Sequence, residues 1–259
     1  SHSLENLGKI ELGLVGVEFK DIVPKGQIFT DIPLDVQANY ASEDADFTLQ
    51  LWKIYEPELK KQKLWDLFTK IETPLTTILA DMELNGIHLE KEILYKFDEE
   101  LTEKIETLQN EIYKIAGHSF NIASPKQLGE VLFTEMGLKG GKKSKTGYST
   151  DVSVLEEIAL TNPIGNLLIE YRELTKLQST YVETLPDLCD KNGFIHTNYL
   201  QTGTATGRLS CKDPNLQNIP VRNEMGRRIR SAFVAPKGKV LISADYSQIE
   251  LVVLSHLSG

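Results

Sequence analysis

The sequence predicts an α+β fold, mostly helical up to about residue 188 and mixed α and β beyond it. Three observations carry this. Leu94, Phe97, Leu101, Ile105, Leu108, Ile112 and Ile115 follow one another at intervals of 3, 4, 4, 3, 4 and 3 residues, the spacing of one helix face. After the Asn192-Gly193 pair the pattern changes, and Phe194 to Gln201 alternates as a strand does. Val240 to Ala244 is then a short apolar run of strand length.

Taken in order, residues 1–30 carry turn signals rather than a period: Gly13, Gly16 and Pro24-Lys25-Gly26. A helix is expected from Pro33 to about Lys61, with Phe47, Leu51 and Ile54 on its apolar stripe and Trp52 and Tyr55 flanking it. A second is expected from Leu64 to Leu84, kinked at Pro74, which lacks the amide hydrogen of a continuous ladder. Asn85-Gly86 breaks it, and Ile87-His88-Leu89 reads as extended. The long seam from Leu94 describes a helical hairpin or coiled-coil arm ending near Gly117. Ser124-Pro125-Lys126-Gln127 has the form of a capping box with proline at the first helical position, and Gly137 can end that short helix. Lys139 to Gly147 is a basic, glycine-containing loop whose plainest reading is solvated charge. Thr150 is a candidate cap for a helix through Leu160, and a further helix covers Ile164 to Leu185. At the far end Ile249, Val253 and Leu257 return to helical spacing, and His256 reads as a packed or capped histidine.

Composition narrows the class. The chain has 259 residues, 41% hydrophobic and 25% charged, enough for one or two ordinary domains. No apolar run approaches the roughly 18 residues of a membrane span, and no signal peptide is visible, so no membrane partner is expected. The first residue is Ser rather than Met, and Ser-His-Ser reads as either an expression scar or a cut end. Two cysteines, Cys189 and Cys211, are too few for a disulfide framework or a zinc site, so a reducing compartment is expected. A net charge of −9 argues against nucleic acid on average. The average conceals a local reversal: between Gly207 and Lys239 eight basic residues face only Asp213 and Glu224, as on a phosphate-facing surface.

The residue pattern with most chemical content is Asp245-Tyr246-Ser247-Gln248-Ile249-Glu250-Leu251, placed where the expected strand Val240–Ala244 opens into a helix. Mg²⁺ asks for one or two carboxylates plus substrate phosphates, which suits Asp245. A helix cap suits it equally. The motif resembles the first catalytic palm motif of family A DNA polymerases. Thr204-Ala205-Thr206-Gly207-Arg208-Leu209-Ser210 and Asp213-Pro214-Asn215-Leu216-Gln217-Asn218-Ile219-Pro220 resemble another diagnostic stretch of that family, continued through Arg222-Asn223-Glu224 and Arg227-Arg228-Ile229-Arg230. Tyr171-Arg172, Lys176 and Ser179-Thr180-Tyr181 are similar to the end of its thumb. Tyr40-Ala41-Ser42-Glu43-Asp44-Ala45-Asp46 is similar to the last motif of its 3′–5′ exonuclease domain. The likeness runs along nearly the whole chain in the family's order.

The resemblance implies a helical thumb and an incomplete antiparallel palm, preceded by the tail of an RNase H-like exonuclease domain. The implied divisions are 1–62 for the exonuclease tail, 63–188 for the thumb and 189–259 for the first part of the palm. It implies template-directed DNA synthesis by two-metal nucleotidyl transfer with two Mg²⁺ ions, on primer–template DNA and deoxynucleoside triphosphates, by a monomeric cytoplasmic enzyme associated with the nucleoid. Asp245 is the implied catalytic residue and metal ligand, with the Tyr246 carbonyl as a second ligand. Gln248, Ile249, Glu250 and Arg222 are implied at the nucleotide, Glu250 as the gate against a ribose 2′-hydroxyl. Arg208 is implied at the minor groove, where acceptors look alike across base pairs. Asn215, Gln217 and Asn218 are implied on the template and primer strands. Arg172, Lys176, Lys142, Lys143 and Lys145 are implied on duplex phosphates, and Tyr40 and Asp44 as the exonuclease remnant. Plainer readings stand beside these: Asn215 and Asn218 as turn residues, and Arg227, Arg228 and Arg230 as surface or salt-bridge residues.

The chain departs from the family pattern in Val252, which stands where arginine is usual after Glu-Leu. The fingers helix and the second catalytic aspartate are not in these 259 residues, nor are the earlier exonuclease carboxylates. The expectation is therefore an isolated chain without turnover. Its alternative description is a non-catalytic duplex-DNA-binding fragment, and a proofreading exonuclease is the weakest reading.

Overall fold

The computed structural model describes residues 2–140, 143–144 and 147–259, with backbone alone for 143, 144 and 147. The chain forms two compact units, Ser1–Ala80 and Asp81–Gly259.

The first unit is helical. Two short helices, α1 (Leu4–Leu7) and α2 (Phe19–Ile22), precede the long α3 (Leu34–Lys61). The turn at Pro24 closes through the Gln27 amide donating to the Pro24 carbonyl at 3.0 Å. Of the expected stripe on α3, Phe47 and Leu51 are buried, whereas Ile54 is exposed. Trp52 instead extends the packing, meeting Trp65 and Phe68 with ring centroids 6.0 Å apart. Next come α4 (Trp65–Leu67) and α5 (Thr73–Asn85), joined by Phe68–Glu72, where the ladder loosens to i→i+5 bonds. Pro74 follows directly: with no amide hydrogen to give to residue 70, it leaves that turn free to widen.

The second unit is built on one helix. After β1 (Ile87–His88), α6 (Lys91–Ala116) buries Leu94, Phe97, Leu101, Ile105, Leu108 and Ile112 of the seam read from the sequence, while its last member, Ile115, is half-buried. Gly117 ends it at φ 85°, a left-handed conformation costly for residues with a Cβ. The helix serves two cores. Leu94 to Leu108 pack with Leu174, Leu177, Val182, Leu185 and Ile195. Ile112 packs with Leu128, Leu132, Leu155 and Leu168.

The second of these cores gathers α7 (Pro125–Gly129), α8 (Val152–Ala159) and α9 (Ile164–Leu177). Ser124 caps α7 by accepting the Gln127 amide at 3.4 Å. Gln127 does not reciprocate as a capping box would; its side-chain oxygen accepts the Asn121 amide at 2.8 Å. Thr150 is not the cap of α8. Asp151 holds that position, and Thr150 is buried behind it. Strands β2 (Lys143–Ser144) and β3 (Gly147–Tyr148) form a small antiparallel pair between α7 and α8. The helix expected to run from Ile164 to Leu185 is interrupted by i→i+5 turns at Gln178–Val182 before α10 (Thr184–Asp187).

The other core is closed by the chain's return. Strand β4 (Phe194–Ile195) pairs with β1, Ile87 facing Ile195. Leu89 bridges to Phe233 on the other side. The expected strand 194–201 is thus two pieces, since β5 (Asn198–Leu200) turns away to pair with β6 (Ser210–Lys212). Helix α11 (Glu224–Ser231) buries Ile229 in this core, and the chain closes with α12 (Ile249–Ser258). No described helix is long and apolar enough to cross a membrane.

The turn feeding β4 is held by one carboxylate. Asp190 accepts the Asn192 and Phe194 amides at 2.8 Å each, and His196 Nε2 lies 3.6 Å from its other oxygen. The Phe194 amide first, then Asn192 and His196, holds its pKa below the ordinary aspartate value. A carboxylate whose folded pKa is depressed contributes stability above its unfolded pKa of about 3.9 and loses it as pH falls through the folded value. Asp190→Asn is expected to be less stable than the unsubstituted chain at pH 7, with the gap closing below about pH 4. Urea midpoints of both proteins across pH 3–7, approximate bounds set by that titration, check this; a pH-independent gap contradicts it.

Candidate functional site

The residues singled out in the sequence lie mostly on the second unit, on loops anchored by the β5–β6 pair, α11 and α12. The loop between β5 and β6 carries Arg208. Its neck is closed by Thr204 Oγ1 donating to the Arg208 carbonyl at 2.8 Å, which leaves the guanidinium exposed. That guanidinium lies 3.9 Å from the Glu250 carboxylate, at the start of α12. Two residues 42 positions apart in sequence thus meet, each more than three-quarters exposed.

Below this loop the segment 213–220 is a scaffold. Asn215 caps the 3₁₀ turn Leu216–Asn218 by accepting the Gln217 amide at 3.1 Å. Gln217 donates its side-chain amide to the Leu209 carbonyl at 3.1 Å. The Asn218 carbonyl accepts the Tyr181 hydroxyl at 2.7 Å, which ties the turn to the end of the α9 region. The plain reading of Asn215 as a turn residue therefore holds for its side-chain oxygen. The Asn218 side chain remains exposed.

The arginines of α11 divide by partner. Arg228 makes a two-pronged pair with Glu100 on α6, at 2.6 and 2.8 Å, and its guanidinium sits 4.1 Å from the Phe97 ring centroid. Arg230 donates to the Ile219 and Pro220 carbonyls. Arg227 donates to the Arg222 carbonyl at 3.2 Å, and the Arg222 side chain is exposed. These contacts make Arg228 and Arg230 structural ties, as the plainer reading of the sequence had them.

Two expectations near the end of the chain are overturned. Val240–Ala244 is not a strand. Val240, Leu241 and Ile242 are 78%, 60% and 87% exposed, and no described strand lies alongside to accept a ladder. A strand is stable only in company, so an apolar run without a neighbour stays irregular. His256 is neither packed nor capped; it is exposed on α12, whose apolar residues are all exposed too. Asp245 and Tyr246 stand in exposed irregular backbone just before the turn that opens α12. Gln248 caps that helix in the left-handed region, at φ 54°.

As a metal site, Asp245 and the Tyr246 carbonyl offer one carboxylate and one neutral oxygen. That donor set fits Mg²⁺, which keeps its other positions for water and phosphate. Among the described residues no three His, Cys, Asp or Glu side chains group to form a fuller cage.

Of the residues implied on duplex phosphates, Lys176 is exposed on α9. Arg172 is half-buried and donates both terminal nitrogens to Thr150, one to its carbonyl and one to its hydroxyl at 2.9 Å. Lys142 and Lys145 lie outside the described residues, and Lys143 is described by its backbone alone. Sequence reasoning missed Thr150 as a partner of Arg172. A Thr just before a helix carries the same signal whether it caps the helix or accepts from a distant arginine.

In the first unit Tyr40 packs edge-on against Phe19 and Phe29, at 6.1 and 5.9 Å. Burial first, then the charge of Asp44, raises its pKa above the ordinary phenol value, and its hydroxyl bonds the Asp44 carboxylate.

Comparison with known proteins assigns this arrangement of a helical unit with small antiparallel pairs. The description of DNA polymerase family A matches residues 91–259, and that of the 3′-5′ exonuclease matches residues 1–60. DNA polymerase I of Treponema pallidum (strain Nichols) is 48% identical over 242 residues, 93% of this chain and 24% of its own length. DNA polymerase I of Rhizobium leguminosarum is 44% identical over 264 residues, 100% of this chain and 26% of its own length. A solved structure, the POL domain of Pol1 from M. smegmatis in complex with DNA primer-template and dNTP, superposes with a TM-score of 0.78 at 34% identity. It covers 100% of this chain and 42% of that one. The chain belongs to DNA polymerase family A. It spans about a quarter of the length of these curated relatives.

Proposed function

We propose that this chain is a segment of a bacterial DNA polymerase I that performs template-directed DNA synthesis, and that the segment itself grips duplex DNA without turning it over. The observation that carries this reading is the meeting of Arg208 with Glu250 of the Asp245–Leu251 motif, within residues matched by the polymerase family. An exposed ion pair at 3.9 Å contributes at most about 1 kcal/mol, so each partner is easily released to a ligand. Arg208 would then turn to minor-groove acceptors at the primer end. Glu250 would stand where a 2′-hydroxyl would lie, selecting deoxynucleotides by exclusion. Gln248, Ile249 and Arg222 would line the incoming nucleotide, and Asn215, Gln217 and Asn218 the strands.

Divalent cations, held by Asp245 and the Tyr246 carbonyl, would activate the attacking 3′-hydroxyl and neutralise the departing pyrophosphate. Asp245 orients that chemistry but is a single carboxylate where a paired-ion site uses more. The segment would thus comprise an exonuclease tail (1–62), a thumb (63–188) and the first part of a palm (189–259). The enzyme would be monomeric, cytoplasmic and nucleoid-associated.

The test uses the chain as it stands. Binding to a labelled primer–template is expected to be weak, indifferent to sequence and steeply salt-dependent, with a log–log slope of about −0.9 per phosphate contact. Substituting alanine for Lys142, Lys143 and Lys145 together is expected to weaken binding equally for every sequence and to flatten the slope. With Mg²⁺ and four deoxynucleotides the chain is expected to extend no primer. Superimposable salt titrations for the triple variant would remove these lysines from the surface; measurable extension would refute the inert-segment reading.

A further inference from the structure

We infer that Arg230 and Arg227 are positioning residues for Arg222: they hold the backbone elbow from which it departs, and do not touch nucleic acid themselves. This rests on the proposed reading of Arg222 as a residue lining the incoming nucleotide. The elbow lies between the buried Ile219 and the start of α11 at Glu224. It has no apolar anchor of its own, since Val221 at its centre is 60% exposed. Its carbonyls are held instead by guanidinium groups from the helix that follows. Arg230, near the end of α11, reaches back to donate from Nη2 to the Ile219 carbonyl and from Nε to the Pro220 carbonyl, each at 3.2 Å. Arg227 donates from Nη1 to the carbonyl of Arg222 itself, also at 3.2 Å.

Two further contacts close the elbow. Asn223 Oδ1 accepts the Gly226 amide at 2.8 Å, which fixes the first turn of α11. Gly226 is buried directly against Pro220, where a Cβ would lie 2.6 Å from the Pro220 carbonyl carbon. The backbone is thus tied at residues 219, 220, 222 and 223, and the Arg222 side chain is left exposed. A planar fork spanning two successive carbonyls sets backbone direction, which the point charge of a flexible lysine does not do. Arg227 and Arg230 are both exposed, so water readily replaces these bonds and their worth to overall stability is small. Their loss should therefore appear in the placement of Arg222 before it appears in the melting temperature. The competing role for two exposed cations on a basic stretch is direct contact with phosphate.

Charge-conserving substitution in a full-length polymerase carrying this segment separates the two roles. Arg230→Lys keeps the charge but loses the fork. It is expected to raise the KM for deoxynucleotide about threefold to tenfold, with kcat within about twofold and the melting temperature nearly unchanged. Arg230→Gln is expected to do the same and to leave the salt slope of primer–template binding unaltered. A lost phosphate contact would instead flatten that slope by about 0.9. In an Arg222→Ala background, Arg230→Lys is expected to add nothing to KM, because the residue it positions is gone. Arg227→Lys is expected to raise KM in the same direction by a smaller factor, and it decides alone if the Arg230 variants do not fold. If Arg222→Ala raises KM while Arg230→Lys and Arg227→Lys leave it unchanged, the inference is overturned and the nucleotide reading of Arg222 stands. A normal KM for Arg230→Lys with a flattened slope for Arg230→Gln overturns it in favour of direct contact. A fall in melting temperature, kcat and duplex affinity together overturns it in favour of a merely structural tie. If Arg222→Ala itself leaves KM unchanged, the nucleotide reading fails and this inference with it.

Discussion

Asp245→Ala, made in a full-length polymerase carrying this segment, is expected to lower the rate of nucleotide addition by at least about a thousandfold, because several kcal/mol of metal-borne charge stabilisation are lost and each 1.4 kcal/mol is a factor of ten. Affinity for primer–template is expected to stay within about twofold, since on the proposed reading grip would come from lysines and arginines on phosphate, not from this carboxylate. The two readouts must be taken separately. Single-turnover extension reports the chemical step, and a binding titration in the absence of nucleotide reports the grip. The structure favours the separation: Asp245 is exposed in the irregular segment before α12, while Lys176 is exposed on α9. A variant that retains a tenth or more of the rate, about 1.4 kcal/mol, would remove Asp245 as the metal-binding residue. A variant that loses rate and affinity together would show that the segment supports the DNA surface instead.

The sequence made the helical frame legible where burial is periodic. The seam is buried from Leu94 to Ile112 and half-buried at Ile115, because one face of α6 meets core along nearly its whole length and the 3.6 period records that. Gly117 and Ser124-Pro125 marked helix ends through backbone chemistry local to a few residues. What depends on a remote partner was not legible. Val240–Ala244 has strand composition, but strand formation is a property of its neighbour. Trp52 rather than Ile54 carries the packing of α3 toward Trp65 because those rings come from the next helix. At the site, the residue types were readable from the motif, but the meeting of Arg208 with Glu250 and of Arg172 with Thr150 was not. Each joins segments on different elements, and no local spacing encodes the closure. The plainer reading of Arg228 succeeded for a simple reason: a helix face rich in arginine beside an acidic seam helix finds a carboxylate, here Glu100.

Gly165→Ala is expected to destabilise the second unit by about 2–3 kcal/mol, the upper part of the roughly 1–3 kcal/mol usual for over-packing, because the contact is unyielding. Propensity alone predicts the opposite, since alanine in a helix is favoured over glycine by about 1 kcal/mol. Geometry decides between them. Gly165 is the second residue of α9, and a Cβ there would lie 2.5 Å from the Ala159 amide nitrogen and 2.6 Å from the Leu155 carbonyl. Both obstacles are backbone of the α8 segment, which cannot rotate aside as a side chain can. Relief requires α8 and α9 to move apart, and that opens the core formed by Leu155, Ile158, Ile164 and Leu168, all at most 1% exposed. Calorimetry is expected to show the transition of this unit falling by roughly 5–10 °C, given about 2–4 °C per kcal/mol at this size. Leu160→Ala on the same stretch, 84% exposed, is the control and should shift it little. A Gly165→Ala protein melting at or above the unsubstituted chain would mean that α8 and α9 do not cross as closely as described.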